Sequence, residues 1–317
     1  MKEGPLRWPV ARLVPNYSAH LALAVVLACS FMVSGNGEDT TWESKGGHLI
    51  LMEQYTATWC DSCSAVDEMV SEFTRENSGR TVRVAIHDHV ADPLGTPITL
   101  HRIQNHPPAP VTPTFWMDGD MLVGGLPDRA MLSQELLSSE SSRSDDSRMS
   151  LYLEKISNSE LSITLSITSA ELDGESRVSI FATLDRVSLN ESVAANGLTE
   201  HRDVVFAYAE SSINGSDDWQ YPEEIWSALE SSGYDDFPSS PIVFKTNLSL
   251  PGDVELSNLR LVAVHERSNQ SEGIAMTKGA VELFIGEGDK EAGLSLAVPI
   301  IAMLAISTVV ITSQSRL

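Results

Sequence analysis

Cys60 and Cys63 are two of the chain's three cysteines, and they stand three positions apart in "TATWCDSCSAVDEM". Apolar Val66, Met69, Val70 and Phe73 follow at helical spacing, with Asp67, Glu68, Glu72, Arg75 and Glu76 opposite, which predicts a helix starting near Asp61. Cys60 then sits at the helix N-terminus, where free backbone N–H groups and the helix dipole stabilise a thiolate. Cys63, nearly one turn on, can face it. One cysteine attacks a disulfide and the other resolves the mixed intermediate, so the spacing suits dithiol exchange. Two other chemistries compete. A structural clasp closing so short a ring restricts the unfolded chain little, on the order of 2 kcal/mol before strain. A zinc site needs about four ligands. The chain has no second CxxC, and His87 and His89 after a neighbouring strand are the nearest candidates. Dithiol exchange is the favoured reading.

The surrounding pattern switches between strand and helix. "HLILMEQY" is a continuous apolar run, as in a strand buried on both faces. "NSG" ending at Gly79 stops the helix, and "TVRVAI" (Thr81 to Ile86) is a second strand. The loop "HDHVADPLG" leads to a helix through Ile98 to Ile103. "TPTFWMDGD" and "MLVGG" are two strands around an Asp118-Gly119 turn, and Asp128 opens a last helix in "DRAMLSQELL" as its N-cap. The order is βαβ, then β-hairpin, then α.

These residues resemble the thioredoxin family over roughly Gly47 to Ser142. "ATWCDSC" matches the active-site turn, "VTPTF" the cis-proline segment, and "MLVGGLPDRAMLSQEL" the closing strand, glycine and helix. The resemblance implies an α/β fold with a four-stranded mixed sheet, βαβ plus ββα. It implies that Cys60 is the exposed nucleophile and Cys63 the buried resolving thiol. It implies a cis Thr112–Pro113 bond that presents the Thr112 backbone to an incoming chain, with Trp59 flanking the site. The chain departs from the family in three places. Gln54 stands where the family's buried acid lies, with Glu53 one step earlier, and Gln cannot take a proton from Cys63. Asp61 and Ser62, not Gly-Pro, stand between the cysteines, and an acid beside Cys60 disfavours its thiolate. The "HPPAP" run before Val111 alters the groove in which a substrate would lie.

The rest of the chain sets the context. With 317 residues, 42% of them hydrophobic, it has room for two cores. Its net charge of −23 repels phosphates and excludes nucleic acid as a partner. Lys2, Arg7 and Arg12 precede a short apolar run, so residues 1–35 read as a signal peptide or signal anchor. Cys29 lies within it as a small apolar residue or, less in keeping with the bulky Leu27, a lipidation site. Residues 292–312 carry no charge and are long enough for one transmembrane helix. Between the ends, a thioredoxin-like domain (36–142), a Ser-rich linker (138–148) and an antiparallel all-β sandwich of about seven strands (149–288) are expected. The long aromatic segment "ESSINGSDDWQYPEEIWSALESSGYDDFPSS" reads either as a partner surface or as a short helix, about Glu223 to Leu229, packing its rings on the sandwich. Asn190, Asn214, Asn247 and Asn269 begin N-x-S sequons.

The expected function is a membrane-anchored thiol-disulfide oxidoreductase with its bulk outside the cytoplasm. Cys60 and Cys63 do the chemistry, Trp59, Thr112 and Pro113 dock the substrate, and Asp61 and Gln54 modulate the pair. No metal or cofactor is expected. The partners are protein thiols or disulfides and a redox protein of the membrane or extracytoplasmic space. The alternative is a cell-surface binding protein that uses the sandwich for recognition and the first domain as scaffold.

Overall fold

An unbroken apolar run can be satisfied only where both faces of a strand are covered, and β2 (Ile50–Thr56) is buried along its whole length. So is β3 (Thr81–His87), even at Arg83. The computed structural model describes residues 40–286 apart from 105, 107–110, 144–146, 170–171, 214–217, 234–239 and 270–273. The expected signal segment, Cys29, the transmembrane run 292–312, most of "HPPAP", Asn214 and the tip of the aromatic segment lie outside the described residues.

β1 (Thr41–Gly46) precedes β2. Helix α1 (Asp61–Glu76) follows β2, and α2 (Ile98–Ile103) follows β3. β4 (Thr114–Met117) and β5 (Asp120–Gly124) form a hairpin. At its turn Asp118 and Gly119 both have positive φ, 52° and 94°, the conformation an Asp-Gly pair tolerates. Asp128 caps α3 (Arg129–Ser142) by accepting from Met131 N at 2.8 Å. Ser138 to Ser142 of the Ser-rich stretch are the last residues of this helix.

Nine further strands follow among the described residues: β6 (Arg148–Lys155), β7 (Glu160–Thr168), β8 (Ser176–Ser188), β9 (Glu200–Ser212), β10 (Asp218–Tyr221), β11 (Glu230–Ser232), β12 (Ile242–Ser249), β13 (Leu259–Asn269) and β14 (Ile274–Phe284). β6, β7 and β12 alternate buried and less buried residues, as strands with one covered face must. Among the described residues of the aromatic segment, Glu223–Ile225 is helical, as one 3-10 turn. Trp226 is buried in the sandwich core, and Trp219 stacks on His101 of α2 at 3.9 Å.

The expectation of a thioredoxin-type α/β unit followed by a separate sandwich is overturned. The chain is mostly β and sandwich-like, with three α-helices among the described residues. One sheet runs β14-β13-β8-β9-β3-β2-β4-β5, with β10 paired to β9. It joins strands from both sides of the Ser-rich stretch through a parallel contact of Ala85 with Val204. The second sheet runs β1-β6-β7-β12-β11, so the first strand pairs with residues more than a hundred positions later, Thr41 opposite Glu154. The physical reason is the edge. β3 would otherwise expose a row of unpaired backbone groups, and β9 lies along that side, paired with it at Ala85 and Val204. No described helix is long and apolar enough to cross a membrane.

Three large clusters and a small one of Ala57, Cys60 and Cys63 fill the described interior. Leu151, Leu153, Ile163 and Leu165 of the second sheet meet Val178, Ile180, Leu261 and Leu283 of the first. Ile50, Met52 and Phe115 pack under Val70 and Phe73 of α1 and Leu132 and Leu136 of α3. Leu51, Val84 and Ile86 join Ile98 of α2 and Val205, Tyr208 and Val262 in the third. A buried guanidinium pins this last region: Arg102 of α2 bonds both oxygens of Glu53 (2.6 and 2.9 Å) and both of Glu266 (2.7 and 3.0 Å). Glu53 is on β2 and Glu266 on β13, four places apart in the sheet. Flat strands about 4.8 Å apart would hold them out of each other's reach, so the sheet must curl around Arg102.

Candidate active site

β2 delivers the chain to a turn, Ala57 to Cys60, from which α1 begins. Cys60 is the N-cap of α1, and its sulfur accepts from Cys63 N at 3.0 Å. The same N–H also reaches Cys60 O at 3.1 Å, so it is shared between the sulfur and the carbonyl of the cap residue. Cys60 and Cys63 form a disulfide with Cα atoms 5.2 Å apart. Cys60 retains 6% of its surface and Cys63 1%, so Cys60 is the less enclosed of the two, though far from exposed.

Trp59 is 43% exposed beside them and donates its ring N–H to Val90 O at 3.2 Å. Asp61 is exposed in the first turn of α1. The Thr112–Pro113 bond is cis. Thr114, the next residue, pairs with Tyr55 of β2, which places Pro113 at the sheet end from which the cysteine turn departs. Pro113 O accepts from Gly125 N at 2.8 Å. Topology therefore gathers Trp59, Cys60, Cys63, Thr112 and Pro113 at one end of the sheet.

Gln54 is fully buried on β2, and it has company the sequence does not advertise. Its amide donates to Asp67 Oδ1 at 2.9 Å, and its oxygen accepts from Arg83 at 2.9 Å. Asp67, read as solvent-facing, is instead buried one turn beyond Cys63 on the same side of α1. Arg83 also bonds Asp67 (3.1 Å) and Asp203 at the start of β9 (2.8 Å). Burial disfavours the Arg83 charge, but Asp203 and Asp67 outweigh it and raise its pKa. An arginine in a wholly buried strand was the one sequence signal that a buried acid had to lie nearby.

Two histidines lie close to the turn. His87 Nδ1 is 3.0 Å from Asp92 Oδ2, which also accepts from Thr58 N at 2.8 Å. Burial pushes the Asp92 carboxyl up, while the bonds from His87, Leu94 N and Thr58 N bring it below its ordinary range. The ring of His201 meets His87 edge-on at 5.2 Å. His201 Nε2 is 3.1 Å from Leu198 O, and its Nδ1, 4.0 Å from Asp67 Oδ2, has no hydrogen-bond partner. Burial, then the neighbouring His87, lowers the His201 pKa. His87 and His89, held as zinc candidates, pair with Asp92 and Asp88. Among the described residues no group of three or more His, Cys, Asp or Glu is placed to hold a metal ion.

No family model and no curated protein matches this chain. Several solved structures are similar in fold, among them the following two. HBP35 of Porphyromonas gingivalis superposes with a TM-score of 0.56 at 16% identity, covering 78% of each chain. Protein AGR_C_4864 from Agrobacterium tumefaciens superposes with a TM-score of 0.51 at 14% identity, covering 76% of this chain and 96% of its own. At these identities the likeness is one of fold alone.

Proposed function

We propose that the protein is a thiol-disulfide oxidoreductase acting through Cys60 and Cys63 on protein thiols or disulfides. The observation that carries this reading is the cysteine pair at the N-cap of α1, with the Cys63 N–H aimed at Cys60 Sγ. A donor there stabilises the thiolate that forms when the bond opens. The likeness of "ATWCDSC" and "VTPTF" to thioredoxin-family segments supports it further. A substrate thiolate attacks Cys60 Sγ, the Cys60–Cys63 bond breaks, and its electron pair passes to Cys63 Sγ, which takes a proton. The substrate's second thiol, losing its proton, then attacks the mixed disulfide and releases Cys60. Two electrons and two protons have moved from substrate to protein. The reverse sequence reduces a substrate disulfide.

Equilibration of the protein with glutathione buffers tests the reading. It requires a reversible two-electron couple at Cys60–Cys63. A pair that stays oxidised across the biological range is a structural clasp and defeats it. Cys63→Ser should accumulate mixed disulfides with substrates, and Cys60→Ser should not.

A further inference from the structure

The connection between β8 and β9, residues 189–199, folds back over the cysteine turn. Asn196 is the point of contact. Its backbone N–H donates to Thr58 O at 2.9 Å. Its side-chain amide donates to Ala57 O at 3.3 Å and to Cys60 O at 3.1 Å, across 136 positions of sequence. Its own side-chain oxygen accepts from Leu198 N at 3.0 Å, which fixes the direction of the amide. The loop is braced from within, since Val193 N and Ala194 N both donate to Asn190 O. Gly197, at φ +81°, makes the bend directly after Asn196. Three of the four carbonyls from Ala57 to Cys60 are thus held by one residue from the other half of the chain.

We infer that Asn196 is a positioning residue of the Cys60–Cys63 pair: it fixes the peptide planes of the turn, and with them the aim of the Cys63 N–H at Cys60 Sγ. This rests on the redox reading above. The Cys60 carbonyl that Asn196 holds also accepts from Cys63 N (3.1 Å) and Ser64 N (3.3 Å), so its orientation and the donors facing the sulfur are one unit. With the clasp removed the turn relaxes, the donor drifts from the sulfur, and the Cys60 thiolate loses stabilisation. A less stable thiolate disfavours the reduced form and moves the pair toward the disulfide.

The test compares the parent with Asn196→Ala, Asn196→Asp and a control, Asn258→Ala. Asn258 bridges the backbone of Arg186 in the same manner, at 2.8 and 2.9 Å, and makes no bond to the turn. Asn196→Asp keeps the shape of the side chain, loses its donors, and carries the test if the alanine variant does not fold. For the Asn196 variants, the equilibrium constant for reduction by glutathione should fall roughly 3- to 10-fold, the scale of one lost hydrogen bond. Alkylation of Cys60 in the reduced protein should require higher pH, and Asn258→Ala should move neither readout. Parental values in folded Asn196 variants would overturn the inference, and so would an equal shift in Asn258→Ala. A parent without a reversible couple would instead defeat the redox reading itself.

Discussion

Gln54 on β2 donates its amide to the carboxylate of Asp67 on α1 at 2.9 Å, inside the protein and one helical turn beyond Cys63. The pairing exchanges the roles the sequence suggests. The strand position expected to carry an acid holds a neutral amide, and the helix position expected to face water holds the acid. The Arg83 charge makes that exchange necessary, because a buried guanidinium must be balanced from the elements packed on it.

Asp67→Ala should therefore be strongly destabilising. It strips Arg83 of one of two carboxylates and leaves the Gln54 amide without an acceptor. Breaking a buried pair from one side costs about 3–5 kcal/mol. Asp67→Asn, which can still accept from Gln54, should cost less. Urea unfolding of the two variants measures this, and a loss below about 1 kcal/mol for Asp67→Ala would mean that Asp203 alone balances Arg83.

Arg102→Met should cost at least as much. It removes the common partner of Glu53 and Glu266 and leaves two buried carboxylates, Glu53 with His106 and Glu266 with Ser179 and the more distant Arg177. Each is held below its ordinary pKa against the burial that would raise it, chiefly by the charge of Arg102. Without that charge both should take up protons on folding. The variant should lose about 3–5 kcal/mol at neutral pH and recover part of it in mild acid. Stability that stays flat with pH in Arg102→Met would count against this account.

Much of the first half was legible because its signals are local. The helix after Cys60, the Asp118-Gly119 hairpin and the Asp128 cap each follow from a few adjacent residues. What was not legible depends on pairing across long separations. Nothing near Thr41 says that it faces Glu154, and nothing near Ala85 says that its strand lies beside β9. The same limit hid Asn196, whose loop looks ordinary until β9 brings it against the turn, and His201 at the start of β9 itself. Arg83 was the exception: a charge inside "TVRVAI" signals a buried partner without naming it.

Stability should fall on acidification in two stages. His201 is held below its ordinary value of 6.5, so the unfolded imidazole binds a proton that the folded one refuses. Stability from this group is present above about 6.5 and falls as pH drops below it. Burial would raise Glu210, but the bond from His101 and the charge of Arg177 hold it down to about 2 against an ordinary 4.5. Its contribution is present above about 4.5 and is lost as pH falls from there to about 2. Asp118 runs the other way, raised to about 6 by burial against the pull of Arg143. The difference between parent and His201→Leu therefore isolates the first stage. If urea midpoints of the two stay parallel between about pH 7 and 5, His201 is not the group responsible.

The last prediction concerns Asp61, the exposed acid in the first turn of α1 directly after Cys60. A helix N-terminus favours a negative charge by about 0.3–1 kcal/mol when exposed. Two unit charges near 4 Å at an effective dielectric of about 20 repel by about 4 kcal/mol, an upper figure for groups that water reaches. Even heavily screened, the carboxylate of Asp61 can cancel what the helix dipole and the Cys63 N–H offer the thiolate. Asp61→Asn keeps the shape and removes the charge. In the reduced protein it should make Cys60 a more acidic thiol, alkylated faster at neutral pH, and should shift the glutathione equilibrium toward the dithiol. The effect should shrink as salt is raised, since the pair sits at the surface. An alkylation profile identical to the parent at low salt would show that the Asp61 side chain turns away from the sulfur, and that the N-terminal donors alone set its reactivity.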